Sequence, residues 1–541
     1  MDTLLLPWLK TAKVGFRYLP NEGISRGQFG GRPIVASLGG DRLAASLDFT
    51  PQATSEAESA RERRLLISWL ARLNGRQNPS YMTNPAKRFA GSFPTTELIA
   101  DNTFASGGLS NWTLGSEYSG TVHDRRARLT RNAVTASSGV IRKNTSQMSA
   151  LTQYATYAFR MFVYAGRGSI ASNLSLRAGS SNGGTQYGSA AYTAAGLYTL
   201  PFVALDTPIS VTLNDNAASG LTAGDYIDVP WASCSRAAML DNGPNLLLHS
   251  DDLTQAAWTN SETTETANAA VAPDGTTTMD SINENAAAAT SHYMQQNVTV
   301  SSSAEGYCFA VALKAASRTW ARLTIFESTS SHAASAYFNL STGAVGTVGA
   351  TGANWENVRA YIVPRGNGIY YCVVLGQKVS AGTTLSCRIY SAEADNDVTM
   401  NGNSSAAIYA WRATLSISKA PTRLVQTTTA ATTGTTQTGS GLHLKGVALT
   451  ATDGLAVEND ELEVITSFGS ELKITTAALN CDAAGLAYWQ FSPAIRGIGA
   501  DGAAVIFSDP MAYMMFAGGA VGWDHEPGIL TTASAEFEEA S

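Results

Sequence analysis

The run Ser55-Glu56-Ala57-Glu58, continuing through Leu66, Trp69, Leu70 and Leu73 to Gly75, is the one stretch of this chain with the period of a long amphipathic helix. Ser55 and Glu58 form a capping box, Glu56 sits in the first turn, and Gly75 closes the end. The four apolar residues recur at three- and four-residue spacing, while Arg61, Glu62, Arg63, Arg64 and Arg72 occupy the other faces. One side packs and the other is wet. Just upstream, Arg42-Leu43-Ala44-Ala45-Ser46-Leu47-Asp48-Phe49 alternates with period two, as a strand with one buried face does. The chain therefore opens with a strand and a helix, and the remainder is expected to be mainly β.

Composition agrees with that reading. A chain of 541 residues has room for several domains, 44% apolar content allows a core in each, and 15% charged residues is low. Thr, Ser, Gly and Ala make up the difference, which suits sandwiches of short strands with hydroxyl-bearing outer faces. A net charge of -7 without a basic run excludes a protein that must neutralise many phosphates, so no nucleic-acid partner is expected. No run of eighteen apolar residues occurs, so no membrane insertion is expected. The N-terminal Met1-Asp2-Thr3-Leu4-Leu5-Leu6-Pro7 lacks a basic n-region, and no cleaved leader is expected. Cys234, Cys308, Cys372, Cys387 and Cys481 lack CxxC spacing and read as reduced core residues.

Strand-like pieces separated by turn residues run from Thr156 to Tyr164, Leu174 to Arg177, Leu197 to Ala204 and Ser210 to Leu213, with a short linker after Trp231. A second set begins at Asn245-Leu246-Leu247-Leu248, passes Trp258, and ends at Pro421-Thr422-Arg423. The first set is preceded by Asp101-Asn102-Thr103-Phe104 and Trp112, so both sets open with an Asn, an apolar stretch or Phe, and then a Trp, as a structural repeat in kind would. Thr427 to Ser440, rich in Thr, Ala, Gly and Gln, reads as a flexible linker.

The two chain ends carry a family likeness. Gly39 to Lys87, with Trp69-Leu70-Ala71-Arg72-Leu73-Asn74-Gly75 and Asn84-Pro85, resembles the N-terminal half of siphophage tail-tip proteins of the distal tail type; Glu471-Leu472-Lys473-Ile474, Asp482-Ala483-Ala484-Gly485 and Asp501-Gly502 resemble the second half. Residues 245 to 425, opening Asn-Leu-Leu and closing Pro-Thr-Arg, are similar to carbohydrate-binding-module-like domains, and 101 to 231 are similar to the same jelly-roll class. The resemblance implies a discontinuous distal-tail-like domain of residues 1–95 and 439–541, a first sandwich at 96–241, a second at 242–428, and a linker at 429–438. It implies a virion structural protein of the tail tip or baseplate, made in the host cytoplasm. Such a protein forms a homo-oligomeric, hexameric ring on the tail axis, with tail tube, tape-measure and tail hub proteins and host envelope polysaccharide as partners. The alternatives are a tail-associated polysaccharide depolymerase and a bacterial adhesin.

Motif searches favour a protein without catalysis. HExxH and Walker A motifs are absent, and the six histidines are scattered. No cofactor is expected beyond a structural calcium, for which Asp251, Asp252, Asp395 and Asp397 are the oxygen donors to consider; they read equally as turn residues. A sugar face needs exposed aromatic rings, because pyranose faces stack on them while hydroxyls bond to polar edges. The carbohydrate-binding candidates are Tyr293, Trp320, Trp355 and Tyr118, whereas Trp112 and Trp258, at the openings of sandwich strands, are assigned to cores.

Overall fold

The computed structural model describes residues 90–99, 103–104, 107–123, 126–132, 138–144, 151–167, 174–206, 209–216, 222–447 and 453–516, together with the strands 4–5, 12–19, 22–25, 34–37, 42–49, 80–83, 522–526 and 530–539. The helix expected from Ser55 to Gly75, with Trp69, lies outside the described residues, and no helix occurs within them. The strand expected at 42–49 is present as Arg42–Phe49.

Two jelly-roll sandwiches with one strand order fill the middle of the chain. In the first, the strands are Arg126–Arg131, Ser138–Asn144, Thr156–Arg167, Leu174–Gly179, Gly188–Tyr192, Gly196–Val203, Ser210–Asp215 and Tyr226–Leu240. The first, eighth, third and sixth lie side by side in one sheet, and the second, seventh, fourth and fifth in the other, with every neighbour antiparallel. The second sandwich repeats this order with Met279–Glu284, Tyr293–Thr299, Glu305–Ala315, Trp320–Glu327, His332–Asn339, Ile369–Lys378, Thr384–Ala392 and Ala406–Ile417. Ala344–Thr351 and Trp355–Pro364 connect the fifth and sixth strands, the former adding an edge strand to one sheet and the latter to the other.

Alternation fixes which face each strand buries. Leu323 and Ile325 face a core that also holds Phe309, Val311, Phe338, Trp355, Ile389 and Leu415, so Arg322, Thr324 and Phe326 face outward. Glu305–Ala315 and Ile369–Lys378, by contrast, are buried almost throughout. Their second face is covered by Leu424, Ala484 and Leu486. Strands enclosed on both sides carry continuous apolar runs, which is why these were among the most legible in the sequence.

A third β unit is built from Gln437–Lys445, Glu461–Thr466, Gly469–Thr475, Ala487–Gly499 and Ala504–Ile506, around Trp489, Phe491, Leu442 and Val464. It is completed by pieces of earlier chain. Phe93 stacks on Phe507 at 3.8 Å, and the last residues of Tyr226–Leu240 pair with both Gln437–Lys445 and Ala504–Ile506. The segment after Trp231 is therefore a continuous strand shared by two units rather than the short linker expected there. Its residues Ala232, Ser233, Cys234, Ser235, Ala237 and Ala238 are all buried, so its burial does not alternate.

Thr427 to Ser440 also departs from expectation. Asn245 and Thr432 exchange backbone hydrogen bonds at 2.9 Å, Thr435 N–H donates to Asn242 at 2.8 Å, and Gln437 Nε2 donates to the carbonyls of Asp241 and His443. The segment is a strap, because its hydroxyls and amides satisfy backbone groups of 241–250; composition alone cannot distinguish that from a free linker. Strands from both chain ends also share one sheet, in the order Leu4–Leu5, Ser80–Thr83, Met511–Phe516, Leu530–Glu539, Arg42–Phe49 and Ala12–Leu19.

Candidate functional site

The outward face of one sheet of the second jelly roll gathers aromatic rings and guanidinium groups from four strands. Tyr293 and Tyr390 are register neighbours with ring centroids 4.6 Å apart, and Arg322 pairs across from Tyr390. Arg388 lies 3.7 Å from the Phe326 ring centroid and 5.1 Å from that of Tyr293. Arg322 lies 5.3 Å from both Tyr337 and Tyr390. The result is a ladder in which cations and rings alternate, each guanidinium plane supported by cation–π contact.

Packing holds this ladder in place without neutralising it. Arg322 Nη2 donates to Ser335 Oγ at 3.2 Å while its Nε has no protein partner, and Arg388 donates to Ser386 Oγ and Tyr390 Oη, both at 3.3 Å. Neither arginine makes an ion pair among the described residues, so both keep charge-assisted donors for an incoming acceptor. Trp320 stands at the end of the face, half-buried, with its ring against Gly346; a Cβ at Gly346 would meet Trp320 Cζ3 at 2.7 Å and Asp395 Oδ1 at 2.4 Å. A residue without a side chain is required for that close approach.

Two of the four aromatic candidates from the sequence are placed here, Tyr293 and Trp320. The other two are core residues. Trp355 is 3% exposed and packs edge-on against Tyr307 at 6.3 Å. Tyr118 is buried in the first jelly roll, where its hydroxyl donates to Asp215 at 2.5 Å; burial, then that bond, pushes its phenol far up. Trp112 and Trp258 are buried, matching their core assignment. Arg322, Arg388, Phe326, Tyr337 and Tyr390 were missed, although the period-two spacing of Arg322 and Phe326 in "WARLTIFE" and of Arg388 and Tyr390 in "TLSCRIYSA" was a usable signal.

The carboxylates considered for calcium are engaged elsewhere. Asp251 pairs with Arg412 at 3.2 Å, and Asp252 accepts from the Thr254 hydroxyl at 2.5 Å and from Gln255 at 2.7 Å. Asp395 accepts from Thr347 N–H at 2.7 Å and Asp397 from Thr399 N–H at 3.1 Å. No group of three or more His, Cys, Asp or Glu residues converges among the described residues.

The opening and closing motifs of the second sandwich have a structural explanation. Asn245 is fully buried: its Nδ2 donates to the carbonyls of Ala413 and Val425 at 3.0 and 2.8 Å, and its Oδ1 accepts from Leu247 and Leu415 N–H, each at 3.0 Å. Arg423 N–H donates to Asp241 at 2.7 Å and its Nη2 to the Asn242 carbonyl at 3.0 Å. Together the two motifs clasp the ends of the module.

No protein-family model matches this chain, and no curated protein matches it in sequence. Among solved structures, the tandem CBM22-1–CBM22-2 domain of Paenibacillus barcinonensis Xyn10C is 11% identical, covering 62% of this chain and 100% of that one with a TM-score of 0.20. The M60 catalytic domain with CBM51-1 and CBM51-2 of Clostridium perfringens ZmpB is 8% identical, covering 72% of this chain and 43% of that one with a TM-score of 0.15. Likeness at this level carries no argument, so the fold rests on strand order: the described residues are all β, with two jelly-roll sandwiches.

Proposed function

We propose that the second jelly roll binds a glycan on the outward face where Tyr293, Arg322, Phe326 and Arg388 are partly exposed over the buried Tyr337 and Tyr390, with Trp320 at its end, and that it does so without catalysis. The observation that carries this reading is the pair of arginines held between rings without ion-pair partners among the described residues. A sugar ring offers an apolar face for the aromatic groups and hydroxyls for the guanidinium donors, and the sheet presents both in one plane. Retention of the full-length protein on immobilised host-envelope polysaccharide is the test. Trp320→Ala and Arg388→Gln are expected to lower retention about tenfold or more, the loss of a contact near 1.4 kcal/mol, with thermal unfolding little changed. Retention equal to that of the parent would refute the reading.

A second reading, favoured by the sheet shared between chain ends, is that this protein is a tail-tip component whose terminal strands form an oligomerising domain. Residues 42–49 pair with 530–539, and 80–83 with 511–516, which is the layout a domain interrupted by two sandwiches requires. Closed rings need a single heterologous interface. Mass measurement at micromolar concentration, with and without a tail-tube protein, is the test, and a strict monomer in both conditions would reject it.

A further inference from the structure

A cleft of about 370 Å³ lies between the second jelly roll and the third β unit. It falls within the roughly 300–1,000 Å³ of small-ligand sites. Trp411 and Tyr371 line it from the sheet opposite to the aromatic ladder, Tyr488 and His443 from the third unit, and Arg365, Arg412 and Arg423 supply its cations. Two of the three guanidinium groups are committed, Arg365 to Asp482 at 2.7 Å and Arg412 to Asp251 at 3.2 Å. Arg423 makes no ion pair among the described residues, and its Nε is buried without a partner.

Of the tyrosine and tryptophan rings, Tyr488 is the one open to a ligand; Trp411 and Tyr371 are 5% and 1% exposed. Arg412 sits 3.9 Å over the Trp411 ring, placed there by a left-handed backbone with φ of 52° in mid-strand, a conformation rare for a residue with a Cβ. Tyr488 is half-exposed, tilted against His443 at 4.9 Å. Burial, then the neighbouring Arg423 charge, lowers the His443 imidazole. What remains is one guanidinium lacking an ion pair among the described residues beside the Tyr488 ring, with the Asn480 amide nearby.

We infer that this cleft binds a carboxylate-bearing saccharide, its ring against Tyr488 and its carboxylate on Arg423. The site is separate from the sheet face and stands or falls independently of it. Planar guanidinium recognises carboxylate with two parallel hydrogen bonds, a discrimination that a neutral sugar cannot receive.

The experiment titrates full-length protein with glucuronic acid, glucose and acetate, followed by saturation-transfer NMR. Glucuronic acid is expected to bind in the millimolar range, with glucose and acetate weaker by about tenfold. Arg423→Gln should weaken glucuronic acid by about tenfold and leave glucose unchanged. Because Arg423 also bonds to Asn242, Tyr488→Ala is the second variant: it should weaken glucuronic acid about threefold or more without altering the melting temperature. Equal binding of glucuronic acid and glucose, acetate as tight as glucuronic acid, or unchanged affinity in both variants would overturn the inference. Trp320→Ala should have no effect on this binding; loss of glucuronic acid binding in that variant alone would place the ligand on the sheet face and equally overturn it.

Discussion

Two tryptophans show what single residues decide. Trp320 and Trp355 both stand at the start of a strand in turn-rich sequence, and no local pattern separates them. Their fates differ because Trp355 begins the edge strand Trp355–Pro364 and is drawn between the sheets, whereas Trp320 ends up on the outward side of its own sheet. Trp355→Ala is therefore expected to cost about 3 to 5 kcal/mol through cavity formation, while Trp320→Ala should cost less than about 1.5 kcal/mol; denaturant midpoints of the two variants measure the difference. Asn245 is the residue whose role lay furthest from its apparent one. Its side chain occupies four backbone groups at the module's ends, and Asn245→Ala would leave them buried and unpaired. A loss of about 2 to 4 kcal/mol is expected, read by chemical unfolding, and a neutral outcome would show that water replaces the amide. The sequence displayed this Asn as a motif but could not say whether it faces a ligand or the chain itself, since that depends on Ala413 and Val425, some 170 residues away along the chain.

Elements were legible in proportion to how one-sided or how fully enclosed they are. Trp320–Glu327, Ile369–Lys378 and Ala406–Ile417 announce themselves with apolar residues, whereas Thr263–Ala270 and Ala344–Thr351, largely exposed edge strands of Thr, Ala and Gly, carry no period at all. Ladder hydrogen bonding to a neighbour, not side-chain pattern, makes them strands. Segments between elements matter equally to how the sandwiches join. Lys419, just past the strand Ala406–Ile417, reaches the first jelly roll, where its ammonium donates to the carbonyls of Gln186 at 2.7 Å and Tyr187 at 3.1 Å. Burial lowers this amine to about 8. With the folded value below the unfolded value of about 10.4, both states are protonated beneath pH 8, and above it the unfolded chain holds more protons, so stability rises with pH across that window. Between pH 7 and pH 10 the parent should gain about 1 to 3 kcal/mol relative to Lys419→Met, measured by denaturant unfolding at each pH; parallel curves for the two proteins would mean that the amine is not held down by burial.

At the scale of the whole molecule, the two sandwiches are joined to the rest in different ways. The second meets its surroundings at neighbouring points, since Thr435 N–H bonds to the Asn242 carbonyl at 2.8 Å, so its removal leaves a gap that a short turn can close at small entropic cost. The first has no such seam. Its final strand supplies Ala238 and Leu240 to the core of the third unit, and its Arg160 forms a fully buried pair with Glu463, with Nη2 to carboxylate distances of 2.8 and 2.7 Å. Glu463 also accepts from Ser470 Oγ and from Met511 N–H. Deleting Arg160 alone leaves a carboxylate uncompensated in the interior, a loss of about 3 to 5 kcal/mol. Joining residue 93 directly to residue 440, as the sequence likeness of the chain ends invites, removes that arginine together with the shared strand, and the product is expected not to fold. Excising only 244–433 and bridging with a Gly-Ser turn is expected to preserve a cooperative thermal transition and a β-type circular dichroism spectrum, at some cost in solubility where Ala484 and Leu486 lose their cover. If the larger deletion folds and the smaller does not, the strand Tyr226–Leu240 is a dispensable bridge and the division of the chain lies at its two ends after all.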